Sequence, residues 1–167
     1  MEYWKQNIQK SVSKMKANIE SLKQELWDQT LANVPRYLRE EYVALLWYLI
    51  ANEGQQDWEE VANMIGEDYL VLTDKEADDA VREYIEETAW AFKPSFLSGF
   101  TGVDEEVFVT LQEANKYDAI MSMIQDFDAF VEAAVQADGR GHFLATYDHN
   151  EYDVTVYDTT YYIYRRN

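Results

Sequence analysis

Residues 138–167 read DGRGHFLATYDHNEYDVTVYDTTYYIYRRN, and this stretch decides the fold class. It holds both histidines, the only Gly-x-Gly and six of the thirteen tyrosines. Phe143, Ala145 and Tyr147 alternate with Leu144 and Thr146, and Tyr152, Val154 and Val156 alternate with Asp153 and Thr155. A period of two is the signature of a half-buried strand. Asp148, His149 and Asn150 supply a turn between the two runs, and Tyr161 to Tyr164 form a third. The pattern predicts a small antiparallel sheet of three strands, with the apolar run Tyr69 to Leu72 able to join it. Gly139 stops the helix before it, and Gly141 frees the joint between helix and sheet.

Upstream the period changes to that of helices. Trp4, Ile8, Val12, Met15, Ile19, Leu22 and Leu26 are three or four residues apart and form one apolar stripe. Residues 1–30 are therefore expected to be a long amphipathic helix, which either pairs with a second copy as a coiled coil or packs on its own domain. A second helix is expected over about 38–51, where VALLWYLIA is apolar nearly all round, and a short third around Trp58, Val61 and Ile65. Thr73-Asp-Lys-Glu76 fits a capping box that opens a helix with Ala77, Ala80, Val81, Tyr84, Ile85 and Thr88 inward. Pro94 closes it. Phe96 to Gly102 is expected to be a connection, followed by helix from Val103 towards Gly139 with a break near Asp126. The expected fold is α+β, mostly helical, with a small C-terminal antiparallel sheet and a long amphipathic N-terminal helix. The expected division is 1–30 and 31–167, the second being an acidic globular domain.

Charge is the strongest global signal. Thirty-two acids against fourteen bases leave a formal net charge of -18, with +1 on residues 1–30 and -19 on residues 31–167. Such a surface repels nucleic acid and anionic lipid and attracts basic grooves. The longest apolar run, Val43 to Ala51, is shorter than the roughly 20 residues of a bilayer span. The N-terminal residues lack a basic region followed by an apolar one, so the expected location is the cytoplasm, here that of a bacterial host. The absence of cysteine excludes disulfides and thiolate chemistry.

Asp68-Tyr-Leu-Val-Leu-Thr-Asp74 followed by Glu76-Ala-Asp78, Gly139-Arg-Gly-His-Phe-Leu-Ala-Thr-Tyr-Asp148, and Tyr161-Tyr-Ile-Tyr-Arg165 before Asn167 resemble a group of small, largely uncharacterised bacteriophage proteins. The resemblance covers about residues 66–167 and implies no particular chemistry. Tyr84-Ile-Glu-Glu-Thr88, a later proline-containing segment and Gly139-Arg140 after a helix resemble the ArdA antirestriction proteins, acidic DNA mimics carried by mobile elements. The N-terminal helix departs from that pattern. This second resemblance implies nucleic-acid mimicry.

Three candidate sites follow. In the terminal stretch Asp138, Arg140, His142 and Asp148 supply acid and base types for a small hydrolase centred on His142. No nucleophile in a recognisable setting accompanies them, and the two histidines match no familiar metal spacing. No catalytic, cofactor-binding or metal-binding residue is therefore expected. The second candidate is acidic: Glu76, Asp79, Glu83, Glu86 and Glu87 on one helix, extended by Asp104, Glu105 and Glu106. Like charges three or four residues apart each cost about 0.2–0.5 kcal/mol, which folding alone does not ask for. These eight are the expected partner-binding residues, facing the basic groove of a host DNA- or RNA-binding defence enzyme of restriction or CRISPR type. The competing reading is a solvated face that serves solubility. The third candidate is oligomerisation, or capture of another protein, through Ile8, Val12, Met15, Ile19 and Leu22. On that alternative the chain is a phage accessory binding module that works through its N-terminal helix.

Overall fold

The structure is a computed structural model that describes residues 39–52 and 58–167. The chain divides into two compact units, Met1–Ala62 and Asn63–Asn167. The expected N-terminal helix, its stripe from Ile8 to Leu22 and the expected boundary at residue 30 lie outside the described residues.

In the first unit, α1 spans Arg39–Asn52. Tyr42 to Leu46, Tyr48 and Leu49 are buried, as a helix apolar on most of its circumference requires. Trp47 and Ile50 are exposed, so the burial is not all round. Helix α2, Trp58–Met64, ends before Gly66, whose positive φ of 86° suits glycine.

The second unit is mostly helical with a three-stranded antiparallel sheet. Strand β1 (Tyr69–Thr73) leads straight into α3 (Asp74–Thr88), and a 3-10 turn over Ala89–Ala91 follows. Then come α4 (Pro94–Thr101), α5 (Glu105–Glu113), α6 (Tyr117–Met123), α7 (Phe127–Asp138) and α8 (Arg140–Leu144). The hairpin β2 (Tyr152–Val156) and β3 (Thr159–Arg165) closes the chain. The strand order is β1-β3-β2, with Val71 opposite Ile163 and Tyr152 opposite Ile163 on its other side.

Two expectations are corrected. Residues 143–147 are not a strand: Arg140–Leu144 turn as a short helix, closed by the Ala145 amide donating to the Gly141 carbonyl at 2.9 Å. Successive strand residues point to opposite faces, whereas one helical turn lets Phe143, Leu144 and Ala145 all enter the same core. The sheet's third strand is instead Tyr69–Thr73. Phe96 to Gly102 is not a loop but part of α4, with Pro94 in its first turn and Gly102 ending it at a left-handed φ of 74°.

The core gathers Ala77, Val81 and Ile85 of α3, Leu97, Phe108, Ile120 and Phe130 from the next four helices, and Tyr164 from β3. Phe92, Phe96, Phe100 and Phe127 surround the Phe130 ring at 5.1–6.0 Å between centroids, a common separation for aromatic pairs. Both faces of β3 are buried, which explains why Tyr161 to Tyr164 read as an unbroken apolar run and not as an alternation. Gly141 is fixed by close approach: a Cβ there would lie 2.6–2.8 Å from the backbone of residues 149–151. No side chain larger than hydrogen fits under that loop.

Candidate acidic binding interface

Helix α3 starts where the sequence places it. The Glu76 carboxylate accepts from the Thr73 amide at 2.8 Å and from the Thr73 hydroxyl at 2.7 Å, so one acid side chain ties off the turn before the helix. Ala77, Val81 and Ile85 are buried, one helical turn apart, and Ala80 and Thr88 are half-buried. Glu76, Asp79, Glu83, Glu86 and Glu87 are all exposed. At about 100° per residue these five occupy one outward arc of about 100°.

Their partners separate them into two sets. Asp79 is paired with Lys75, four residues back, and Glu76 is occupied by the cap. The carboxylates of Glu83, Glu86 and Glu87 have no hydrogen-bond or ion-pair partner among the described residues, although the Glu87 carbonyl accepts from the Trp90 indole at 2.9 Å. Arg82, which the spacing offers to Asp78 and Glu86, turns instead to Asp128 of α7 and lies over the Phe127 ring. Asp74 and Asp78 of the same helix share Arg140: its Nη1 donates to each carboxylate at 2.9 Å. The Nε of Arg140 donates to Glu151 at 2.8 Å, and its guanidinium lies 4.4 Å from the centre of the Tyr162 ring. Arg140 thus clamps the N-terminus of α3 to α8 and to the loop before β2.

On α5 the arrangement differs. Asp104 caps the helix, accepting from the Glu106 amide at 2.9 Å, and the exposed Glu105 and Glu106 carry no ion pair among the described residues. Gln112 of α5 donates to the carbonyls of Trp90 and Phe92, at 2.9 and 2.8 Å, which fixes α5 against the turn that follows α3. Helix α5 packs on α4 and α6, whereas α3 packs on α8, the sheet and the 3-10 turn. The eight expected interface acids therefore fall on two elements, and five of them, Glu83, Glu86, Glu87, Glu105 and Glu106, keep their charge free.

The electrostatics follow from these contacts. The hydrogen bonds from Thr73 hold the Glu76 carboxyl below its ordinary value of 4.5. Burial lowers the Arg140 pKa, but the hydrogen bonds it donates to Glu151, Asp74 and Asp78 outweigh that and the net shift is upward. Burial, then the hydrogen bond at 2.6 Å to Glu151 and that group's charge, pushes the Tyr164 hydroxyl up. A lowered carboxyl pKa contributes stability that is present above the unfolded value and lost as pH falls through the folded one. Glu76→Gln should therefore cost about 0.5–1 kcal/mol near neutrality. In urea denaturation the gap from the unsubstituted chain should shrink as pH falls below 4.5.

The terminal stretch is distributed rather than convergent. Asp138 and His142 line one open cleft of about 600 Å³ together with Tyr84, Thr88, Lys93, Ser95 and aromatic side chains of the core edge. Arg140 is committed to its carboxylates, and Asp148 accepts from the Asn150 amide and the Tyr152 hydroxyl. The His142 ring is exposed and sits 5.5 Å from that of His149. Among the described residues no three His, Asp or Glu side chains converge as a metal ion would need. Tyr84, expected on the inner face, is 42% exposed at the mouth of this cleft. The sequence hid the cleft because its lining comes from three separate segments, 84–96, 137–138 and 142–143.

No helix among the described residues is long and apolar enough to cross a membrane. Comparison with protein families, curated proteins and solved structures returns no match.

Proposed function

We propose that this chain is a non-enzymatic inhibitor, carried by a phage or mobile element, whose acidic face occupies the nucleic-acid groove of a host defence enzyme of restriction or CRISPR type. The observation that carries this reading is the unneutralised arc of α3. Residues 63–167 hold 22 acids and 7 bases, a net of -15. Three of these seven bases are spent elsewhere: Arg140 on Asp74, Asp78 and Glu151, Arg82 on Asp128, Lys75 on Asp79. Glu83, Glu86 and Glu87 remain exposed and adjacent, although like charges at this spacing weaken a helix.

The spacing suits mimicry. From Glu83 to Glu87 the helix rises about 6 Å, so the three free acids average one charge per about 3 Å. One DNA strand carries a phosphate about every 3.4 Å. A groove built to hold phosphates with Lys and Arg would meet a comparable linear charge. Contacts of this kind are screened by salt, so the complex should form at low ionic strength and dissociate steeply as salt rises. The test is capture of bacterial proteins on the immobilised full chain with stepwise salt elution. Nucleic-acid enzymes eluting over about 0.1–0.5 M salt are expected, whereas partners that are indifferent to salt would overturn the reading.

A further inference from the structure

The cleft beside α3 has the chemistry of a cation site. Tyr84, Phe143, Phe92 and Phe96 form a continuous aromatic wall, with successive centroids 6.0, 6.0 and 5.5 Å apart and the Phe92 and Phe143 rings stacked. Ring faces carry negative quadrupole charge and attract a cation placed over them. Asp138 lies in the lining and has no ion-pair partner among the described residues. Glu87 stands three residues from Tyr84 and is therefore its neighbour on the helix surface. The cleft thus opens directly beside the unneutralised arc. Lys93 and His142 also line it; Lys93 and Asp138 are both exposed and offset one another, so the sign of the field is set by the wider unit. With a net of -15 over the unit, the field favours a cation over an anion or a neutral ring.

The chain already uses this pairing internally. Arg140 lies 4.4 Å from the Tyr162 centroid, Arg165 4.1 Å from that of Tyr147, and Arg82 5.4 Å from that of Phe127. Tyr84, 42% exposed, offers the same ring surface with no arginine over it among the described residues.

We infer that the cleft of Tyr84, Phe92, Phe96, Phe143 and Asp138 seats an arginine side chain of the partner protein, anchoring a complex whose remaining contacts are made by the acids of α3. The inference rests on the proposed function for the nature of the partner and adds the residue that is recognised. Arginine fits better than lysine because its planar guanidinium stacks on a ring and sheds water more easily. Salt screens the stacked ring contact less than it screens the contacts of the exposed acids.

The test is an NMR titration of the full chain, at about 0.15 M salt, with acetylated and amidated tri-arginine, tri-lysine and, as a neutral ring, acetyl-tryptophan amide. Tri-arginine should shift the side-chain signals of Tyr84, Phe96 and His142 to saturation and bind more tightly than tri-lysine. Tyr84→Ala should weaken it about tenfold. Asp138→Asn, which alters an exposed side chain only, should weaken it less, and both variants should keep the circular dichroism of the folded chain. Three results would overturn the inference: tighter binding of the tryptophan amide, no shift at Tyr84 and Phe96, or an unchanged affinity in Tyr84→Ala. If tri-arginine moves only the signals of residues 83–87, the cleft assignment fails and the acidic face stands. If the cleft saturates while charge reversal on α3 leaves partner capture unchanged, the acidic face fails and the cleft stands.

Discussion

Arg140→Ala should lower the stability of the chain by about 2–3 kcal/mol in urea denaturation, the largest loss expected of any single exposed-to-half-buried substitution. The Arg140 side chain is only 10% exposed and holds Asp74, Asp78 and Glu151 at once. Removing it leaves three carboxylates facing one another and frees Glu151, which also accepts from the Tyr164 hydroxyl. Breaking a buried pair by deleting one partner typically costs about 3–5 kcal/mol. The value here is lower because Asp74 and Asp78 are 69% and 64% exposed and water screens them after the loss. Arg140→Lys should recover less than half, since one ammonium cannot form the fork that spans α3 and the loop before β2. A loss under about 0.5 kcal/mol would show that the clamp is ornamental to folding.

The triple substitution Glu83→Lys, Glu86→Lys and Glu87→Lys should have the opposite character. These side chains are exposed and their carboxylates unpaired, so the fold loses no contact; the 79/83 pair turns from repulsive to attractive, worth about 0.2–0.5 kcal/mol, the 83/86 and 83/87 pairs stay like-charged, and cations suit the C-terminal end of the helix. Stability should stay level or rise. Partner capture should fall by at least about a hundredfold at low salt, because three attractive contacts become repulsive in a basic groove. Retained stability makes the loss of binding interpretable, which no core substitution allows. An acidic face that only keeps the protein in solution would tolerate the change without effect on capture.

Much of this was legible in the residues. The capping box at Thr73, the buried triad Ala77, Val81 and Ile85, and the outward acids of α3 follow from a 3.6-residue period and a four-residue signal. The tyrosine-rich end read correctly as sheet for β2 and β3. Residues 143–147 misled because an alternating pattern and a single buried helical turn look alike over five residues, and only the crowding of Gly141 under residues 149–151 distinguishes them. Helix α4 carried its own signal, Pro94 at the start and Gly102 at the end, yet the Gly and Ser between them suggested a loop. The carboxylate partners of Arg140 were not legible. Its partners Asp74 and Asp78 lie more than sixty residues away, and pairing across that distance is set by packing, not by local pattern. The same is true of the cleft, which exists only once α3, α7 and α8 meet.

The central claim is that the arc of Glu83, Glu86 and Glu87 stands in for a nucleic-acid backbone. The most direct measurement is competition: host proteins captured at low salt on the immobilised full chain, challenged with increasing duplex DNA and, separately, single-stranded RNA. The account predicts that the captured protein is itself a nucleic-acid enzyme, that DNA or RNA releases it in proportion to that enzyme's own affinity for it, and that the triple-lysine variant never captures it. A partner held equally well by both forms of the chain, and unmoved by either nucleic acid, would contradict it.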